Sequence, residues 1–231
     1  MYFNCKRSAI LVSLIVIIGF NGMAQSNLIN PNAFWQGEIK LTDGSVKKGY
    51  IRVPDSGDDN SIVYRAGEKG EKESIKSELI ESFTVVSNKG NPYSFERLAT
   101  RFNIKKEKVS DKKYFLLEYK KGTHATFYFT SNGYYTYAKD GTLDIVNTYL
   151  SGKDLPTFTY LIRKKNQKFA DVFGQTSPSK TLFGLNKMLK VRCEYLIPDD
   201  PSLLKRIEAD EFKHTQIPEI IDIYLRDMEG K

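Results

Sequence analysis

Three acidic side chains lie in one short loop, where they could perform two kinds of chemistry. Asp55, Asp58 and Asp59 are followed directly by Asn60. Two carboxylates held across a substrate can hydrolyse a glycosidic bond, and clustered carboxylate and amide oxygens can bind Ca²⁺. The spacing does not fit an EF-hand, because Ala66 stands where the bidentate glutamate would be. A solvated turn is therefore the favoured interpretation of this loop.

Nucleophilic or metal chemistry would depend on one cysteine and two histidines. Cys193 has no protease signature around it, His124 begins a strand, and His214 lies in a polar link before the last helix. The chain contains no H-E-x-x-H, C-x-x-C, G-x-S-x-G or G-x-x-x-x-G-K-[ST] motif. A lone cysteine is most often a small buried hydrophobe. We expect no catalytic residue, no metal site and no cofactor.

Tyrosines are the remaining candidates for function, because they can stack on sugars or bases and anchor protein partners. Tyrosine also favours strands, so core packing and cross-strand pairing explain most of them. If one sheet face is open, the candidate binding face comprises Tyr128, Tyr134, Tyr135 and Tyr137. Its partner would be a glycan, a peptide or another envelope protein. We expect no nucleic-acid partner, because the signal described below directs the chain out of the cytoplasm.

The elements that position these residues are strands up to about residue 163. Alternating hydrophobicity and turn residues predict strands at 34–41, 46–53, 61–65, 80–87, 114–119, 124–130, 134–138 and 157–163, the last being the final strand. Asp43-Gly44 is a strong hairpin signal. Thr126 and Tyr128 stand opposite the apolar face that contains Phe127, which predicts a sheet packed on one side and wet on the other. The connections are those of an antiparallel meander.

Helical periodicity replaces the strand pattern towards the carboxyl end. Ser177 is a possible start of one helix, Asp200 is a predicted N-cap followed by proline, and Pro218 begins the last helix. The last helix has an apolar stripe that we expect to pack within the chain: Ile217, Ile220, Ile221, Tyr224, Leu225 and Met228. The predicted fold is α+β and mainly β: an antiparallel sheet, sandwich or partly open barrel with a short C-terminal helical segment. The predicted divisions are a signal at 1–24, a β-rich domain at 25–165 and a helical segment at 166–231 packed on it.

Residues 1–24 have the pattern of a secretory signal peptide. Two basic residues precede the apolar run Ala9–Phe20, and small residues lead up to a cleavage site after Ala24. The processed chain would begin at Gln25 and keep one cysteine, Cys193, so no internal disulfide is possible. We expect an exported protein, periplasmic or extracellular, with no transmembrane span after signal cleavage.

Composition is that of a chain with a substantial core. Hydrophobic residues make up 40% of the sequence, which argues against disorder. The net charge of +7 is basic, but the lysines are interleaved with glutamates, so charge alone singles out no anionic partner.

Two blocks resemble parts of uncharacterised exported β-rich proteins of Bacteroidota. Residues 37–51, GEIKLTDGSVKKGYI, are similar to an opening hairpin with the pattern G-x-I-x-L-x-D-G-x-x-x-x-G-x-I. Leu189–Tyr224 is similar to the tail of some of those proteins, where a short acidic loop, here Asp199-Asp200-Pro201, precedes two short helices. The resemblance implies export and a β-rich fold, and it carries no catalytic residue.

The sequence therefore predicts a non-catalytic exported protein with a structural or binding role in the cell envelope. The alternative is an envelope glycan hydrolase whose carboxylate pair is assembled only by the fold. Two carboxylates about 5–9 Å apart across a deep cleft would favour the hydrolase. An open tyrosine face without such a pair would favour binding.

Overall fold

The computed structural model describes residues 34–54, 56–87, 89–106, 108–130, 133–137, 143–147, 158–176 and 184–229, with the backbone alone at 133–137 and 143–147. The strands in these ranges are β1 (Trp35–Leu41), β2 (Val46–Arg52), β3 (Ser61–Arg65), β4 (Glu73–Lys76), β5 (Ile80–Val86), β6 (Pro92–Arg101), β7 (Lys113–Lys121), β8 (Ala125–Thr130), β9 (Gly133–Tyr137), β10 (Leu143–Asn147), β11 (Phe158–Lys164) and β12 (Phe169–Thr176). The helices are α1 (Leu185–Leu196), α2 (Pro201–Glu208) and α3 (Ile217–Glu229). The chain is mainly β, as the sequence predicts.

Ten strands form one large mixed sheet, in the order β12-β11-β8-β7-β6-β5-β1-β2-β3-β4. Strands β9 and β10 form a separate antiparallel pair. Strand β12 also pairs in parallel with β6, through Phe169↔Ala99, Ala170↔Thr100 and Asp171↔Arg101. Strands β6, β7, β8, β11 and β12 therefore curl into a barrel-like ring. The remaining strands continue from β6 to an edge at β4, so the sheet as a whole is open and is not a closed barrel.

Two sequence predictions fail at this ring. The meander prediction is wrong at the β6–β12 seam, because the partners there are parallel and 70 positions apart in the chain. The prediction that the strand ending at Arg163 is the last is also wrong, because β12 follows it. The β-rich part therefore extends past the expected boundary at residue 165.

Strands β1, β2, β3 and β5 follow the local sequence signals closely, whereas β4 lies in a charged stretch where no strand is predicted. Asp43 accepts hydrogen bonds from the backbone N–H and the hydroxyl of Ser45, at 2.8 Å and 2.7 Å. Gly44 has φ 88°, a left-handed conformation that glycine adopts without strain. A Cβ on Gly37 would lie 2.1 Å from the carbonyl oxygen of Thr84, so no side chain fits where β1 approaches β5. Apolar side chains of these strands form one cluster with Phe95 of β6 and Phe115 of β7, around Phe83.

The ring is buried on both faces. Its outer face, including Phe127 and Phe173, packs under the three helices in one large cluster. Its inner face holds a smaller cluster: Leu98, Leu116, Tyr128, Leu161, Ala170 and Val172. The predicted wet face opposite Phe127 is therefore wrong, because closure of the ring encloses that face.

Helices α2 and α3 form where capping and periodicity predict them, whereas the prediction of a helix from Ser177 that runs through Gly184 is wrong, because Gly184 has φ 80° and precedes α1. Asp200 caps α2 by accepting a hydrogen bond from the N–H of Leu203 at 3.1 Å, with Pro201 at the first helical position. Helix α1 begins after Gly184, and residues 177–183 lie outside the described ranges. The stripe of α3 is buried in the cluster beneath the helices, with Ile221 fully buried, so its packing within the chain is confirmed. None of the helices in the described ranges has both the length and the apolar character that a membrane crossing requires.

Candidate functional site

A cavity of about 400 Å³ opens at one end of the barrel-like ring. Successive side chains of a strand point to opposite faces, so each strand of the ring contributes every second residue to its interior. Four strands supply inward side chains to the cavity, and a loop and one residue after β6 complete its rim. We call it the threonine pocket, lined by Ser56, Gly57, Asp58, Thr100, Phe102, Tyr114, Leu116, Thr130, Thr159 and Leu161.

Thr100 gives this pocket an unusual polar group. Its side chain is 2% exposed, and its Oγ1 makes no hydrogen bond to any part of the chain that the structure describes. Its backbone carbonyl accepts a bond from the N–H of Ser110 at 2.9 Å, so the backbone is satisfied while the hydroxyl is not. Nearby, Thr159 accepts a bond from Gln175 at 3.1 Å. Leaving a buried hydroxyl unpaired costs about 1–3 kcal/mol, which a ligand that bonds to it would recover.

The loop at the rim is fastened to β7 by two interactions. The N–H of Phe115 donates to the carbonyl oxygen of Gly57 at 2.6 Å. Lys112 Nζ lies 2.6 Å from Asp58 Oδ2, and the hydroxyl of Ser56 donates to the other oxygen at 2.5 Å. The hydrogen bond from Lys112 lowers the pKa of Asp58 and raises the pKa of Lys112. Asp58 is therefore an ionised, paired carboxylate at neutral pH, unsuited to donate a proton as a general acid.

Phe102 supplies an aromatic ring at the rim. It is 57% exposed, although it is one of the larger apolar side chains. Arg192 of α1 donates to the backbone carbonyl of Phe102 at 3.3 Å and to that of Val172 at 2.7 Å. Helix α1 thus holds the backbone that positions the phenyl group of Phe102 at the rim. Phe102 and Tyr114 together give the pocket two aromatic side chains.

The structure places the predicted tyrosine face differently. Tyr128 is fully buried inside the ring, and its hydroxyl donates to Glu96 at 2.5 Å. Glu96 also accepts a bond from Arg163 at 2.6 Å, and burial raises the pKa of Tyr128. The prediction that Tyr128 belongs to an open face is therefore wrong. The side chains of Tyr134, Tyr135 and Tyr137 lie outside the described residues, although their strand β9 pairs with β10.

The other candidates are dispersed. Asp55 lies outside the described residues, and the backbone carbonyl of Asp59 accepts a bond from the hydroxyl of Ser77 at 2.6 Å. Cys193 is fully buried in α1 among apolar side chains, and burial raises the pKa of its thiol to about 12. His214 contacts Asn186 at 2.8 Å through its ring Nδ1. His124 lines a second cavity at the other end of the ring.

Acidic and metal-binding groups do not converge within the described ranges. No three His, Cys, Asp or Glu side chains there form a group that could hold a metal ion. Asp58 is the one carboxylate among the described residues that line the threonine pocket. Among the described lining residues, this cavity therefore brings together no pair of carboxylates of the kind that a glycoside hydrolase uses.

Comparison with known proteins identifies no relative: no family model, no curated protein and no solved structure matches this chain. The threonine pocket itself was missed by sequence reasoning. Thr100, Thr130 and Thr159 are unremarkable strand residues in the sequence, and they converge only because the ring closes. Phe102 follows a strand that the alternation pattern does not predict.

Proposed function

We propose that this protein is an exported, non-catalytic binding module of the cell envelope that holds one sugar unit of a neutral glycan in the threonine pocket. The observation that carries the proposal is the buried, unpartnered hydroxyl of Thr100 in the pocket lining. Concave sites of about 300–1,000 Å³ with a few convergent polar groups are typical of small-molecule binding. The pocket volume of about 400 Å³ falls within that range.

The chemistry of the lining fits a sugar. A sugar offers hydroxyls that both donate and accept, together with C–H faces that pack on aromatic rings. Threonine hydroxyls match the first property, and the rings of Phe102 and Tyr114 match the second. The charge of Asp58 is already balanced by Lys112, so the lining favours a neutral ligand.

The alternative of a glycan hydrolase has less support. Hydrolysis in most families needs a protonated acid and a second carboxylate about 5–9 Å away. The lowered pKa of Asp58 and the absence of a second acid among the described lining residues favour binding without cleavage.

Export is supported by the pattern of residues 1–24, which lie outside the described residues, and by the resemblance of residues 37–51 to exported proteins of Bacteroidota. Mass spectrometry of protein isolated from its native host should find a new N-terminus at or near Gln25. Full-length protein in the cytosol would contradict export, without bearing on the pocket.

Binding is tested with chitotriose, cellotriose and mannotriose by saturation-transfer NMR and calorimetry. We expect one of these sugars to bind. Thr100→Val should lower the affinity for that sugar about tenfold or more, because valine keeps the shape of the side chain and removes the hydroxyl. The matched control is Thr126→Val, which changes a buried threonine towards the opposite end of the same ring interior.

The ligand-free Thr100→Val protein should be at least as stable as the wild type, because it loses an unsatisfied buried group. Equal weakening by both substitutions, or no binding of any of the three sugars, would overturn the proposal. Release of shorter sugars during the titration would favour the hydrolase instead.

A further inference from the structure

Two turns lie side by side at the end of the ring opposite the threonine pocket. The β7–β8 turn is closed by a hydrogen bond from the N–H of Gly122 to the carbonyl oxygen of Ala125 at 2.9 Å. The β11–β12 turn is closed by a hydrogen bond from the N–H of Gln167 to the backbone carbonyl oxygen of Lys164 at 3.0 Å. The N–H of Lys165 donates to the carbonyl oxygen of His124 at 2.8 Å and joins the turns. These hydrogen bonds hold the backbones of the two turns in fixed positions relative to each other.

A cavity of about 450 Å³ lies against these turns. We call it the lysine cleft, lined by Lys121, Gly122, Thr123, His124, Ala125, Thr126, Arg163, Lys164, Lys165, Asn166, Gln167 and Lys168. Five of these residues are lysine or arginine, and none of them is acidic. The lysines look evenly mixed with glutamates in the sequence, yet all five charged residues that line this cleft are positive.

Two of the five cations already have partners. Arg163 lies 2.6 Å from Glu96 inside the ring. Lys164 lies 2.9 Å from Asp199 and also donates to the hydroxyl of Tyr224. The acids of these two pairs, Glu96 and Asp199, are not among the residues that line the cleft.

The other three cations, Lys121, Lys165 and Lys168, form no ion pair with any acid among the described residues. The nearby Asp171 is occupied by Arg101 and by Gln167. Charges of one sign around a concave surface reinforce one another's field and attract a counter-ion. Three uncompensated positive charges favour a multivalent anion over a single carboxylate.

We propose that the lysine cleft is a second binding site, specific for a phosphate group. Lysine binds phosphate as a point charge with three donors, and the hydroxyl of Thr123 in the lining offers a further donor. The site does not depend on the sugar-binding proposal, because the two cavities share no lining residue. The same chemistry recognises free phosphate compounds and the headgroups of anionic lipids.

The experiment uses the processed protein and two probes. Inorganic pyrophosphate is titrated while backbone amides of residues 121–125 and 164–168 are followed by NMR. Vesicles of phosphatidylglycerol, with phosphatidylcholine vesicles as the neutral comparison, are tested by co-flotation. Binding of pyrophosphate alone identifies a soluble phosphate ligand, whereas selective binding of phosphatidylglycerol vesicles identifies a lipid headgroup.

The test variant is the triple substitution Lys121→Gln, Lys165→Gln and Lys168→Gln. We expect it to weaken binding of the active probe about tenfold or more, through the loss of charge-assisted contacts. The matched control is Lys69→Gln, Lys89→Gln and Lys187→Gln, which removes the same net charge from exposed positions that do not line the cleft.

The control variant should bind within about twofold of the wild type, since long-range charge effects are screened by salt. Thr100→Val should leave phosphate binding unchanged, which separates this site from the threonine pocket. Equal loss in both triple variants, or no binding of either probe by the wild type, would overturn the proposal.

Discussion

The β6–β12 seam is held by a buried ion pair, and its removal gives a sharp test of how the ring closes. Arg101 Nε lies 2.5 Å from Asp171 Oδ1, and its Nη2 lies 3.1 Å from the other oxygen. Gln167 donates to Asp171 at 2.7 Å. The Asp171 side chain is 3% exposed, and that of Arg101 is 16% exposed. Arg101 and Asp171 are also register partners across the parallel pairing.

Asp171→Ala should lower the free energy of unfolding by about 3–5 kcal/mol, because it breaks a buried ion pair by removing the carboxylate that binds both Arg101 and Gln167. The ring of Phe169 lies 5.0 Å from the Arg101 guanidinium and does not replace a carboxylate. Small proteins are stable by about 5–15 kcal/mol, so a loss of this size is a large fraction of the total.

Urea denaturation followed by fluorescence measures this loss, with Glu81→Ala as the matched control. Glu81 lies 2.9 Å from Lys40, but both side chains are 49% exposed, so the control should lose about 0–1 kcal/mol. Hydrogen exchange should become faster at residues 169–171 in Asp171→Ala and stay unchanged in β1 and β2.

The double variant Arg101→Met with Asp171→Leu should be more stable than Asp171→Ala, because it replaces both members of the buried ion pair with apolar side chains instead of removing one member. A loss in Asp171→Ala no larger than in Glu81→Ala would refute the argument that burial makes this pair important for closing the ring.

Four further predictions concern the helical layer and the pocket rim. Ile221→Ala should lower the free energy of unfolding, measured by urea denaturation, by about 2–4 kcal/mol, because Ile221 is fully buried. Val191→Ala on the exposed side of α1 is the control and should lower it by less than about 0.5 kcal/mol. Similar losses in the two variants would contradict the packing of α3. Cys193→Ser should cost about 1–3 kcal/mol and leave sugar binding intact, since it puts a hydroxyl among apolar side chains. The Cys193 thiol, whose pKa burial raises to about 12, should react with a disulfide reagent only after unfolding, and fast reaction of the native protein would contradict this. The lowered pKa of Asp58 means that its pair with Lys112 stabilises the fold above pH 3.8 and that this contribution is lost as the pH falls through the folded-state pKa. The stability difference between wild type and Asp58→Asn should therefore shrink steadily below that pH, and a difference that stays constant there would disprove the assignment.

Local signals in the sequence determine most of the individual elements. Asp43-Gly44 specifies the first hairpin because glycine accepts the left-handed conformation that the turn requires. Asp200 followed by proline specifies the start of α2, and the spacing of apolar residues specifies the buried side of α3. Each of these features depends on residues within a few positions of one another, so a pass along the chain finds them.

Local sequence signals do not identify strands β6 and β12, because the polar residues of these strands are buried with partners that are distant in sequence. Glu96 and Arg101 make β6 look like a solvated segment, yet Glu96 binds Arg163 inside the ring and Arg101 binds Asp171 at the seam. Alternation of hydrophobicity identifies a strand with one wet face. It does not identify a strand that packs on both faces and neutralises its charges across the fold.

Closure of the ring is the step that only the tertiary structure decides, and the candidate sites follow from it. The seam pairs residues 70 positions apart. That pairing turns Tyr128 from an expected surface tyrosine into a buried one and brings the pocket threonines together. The sequence by itself determines which segments are strands with strong alternation and where α2 and α3 begin, and it carries the expectation of export. The two cavities depend on which strand edges meet, and that is fixed by the joint packing of the inner cluster and the helices rather than by any local pattern.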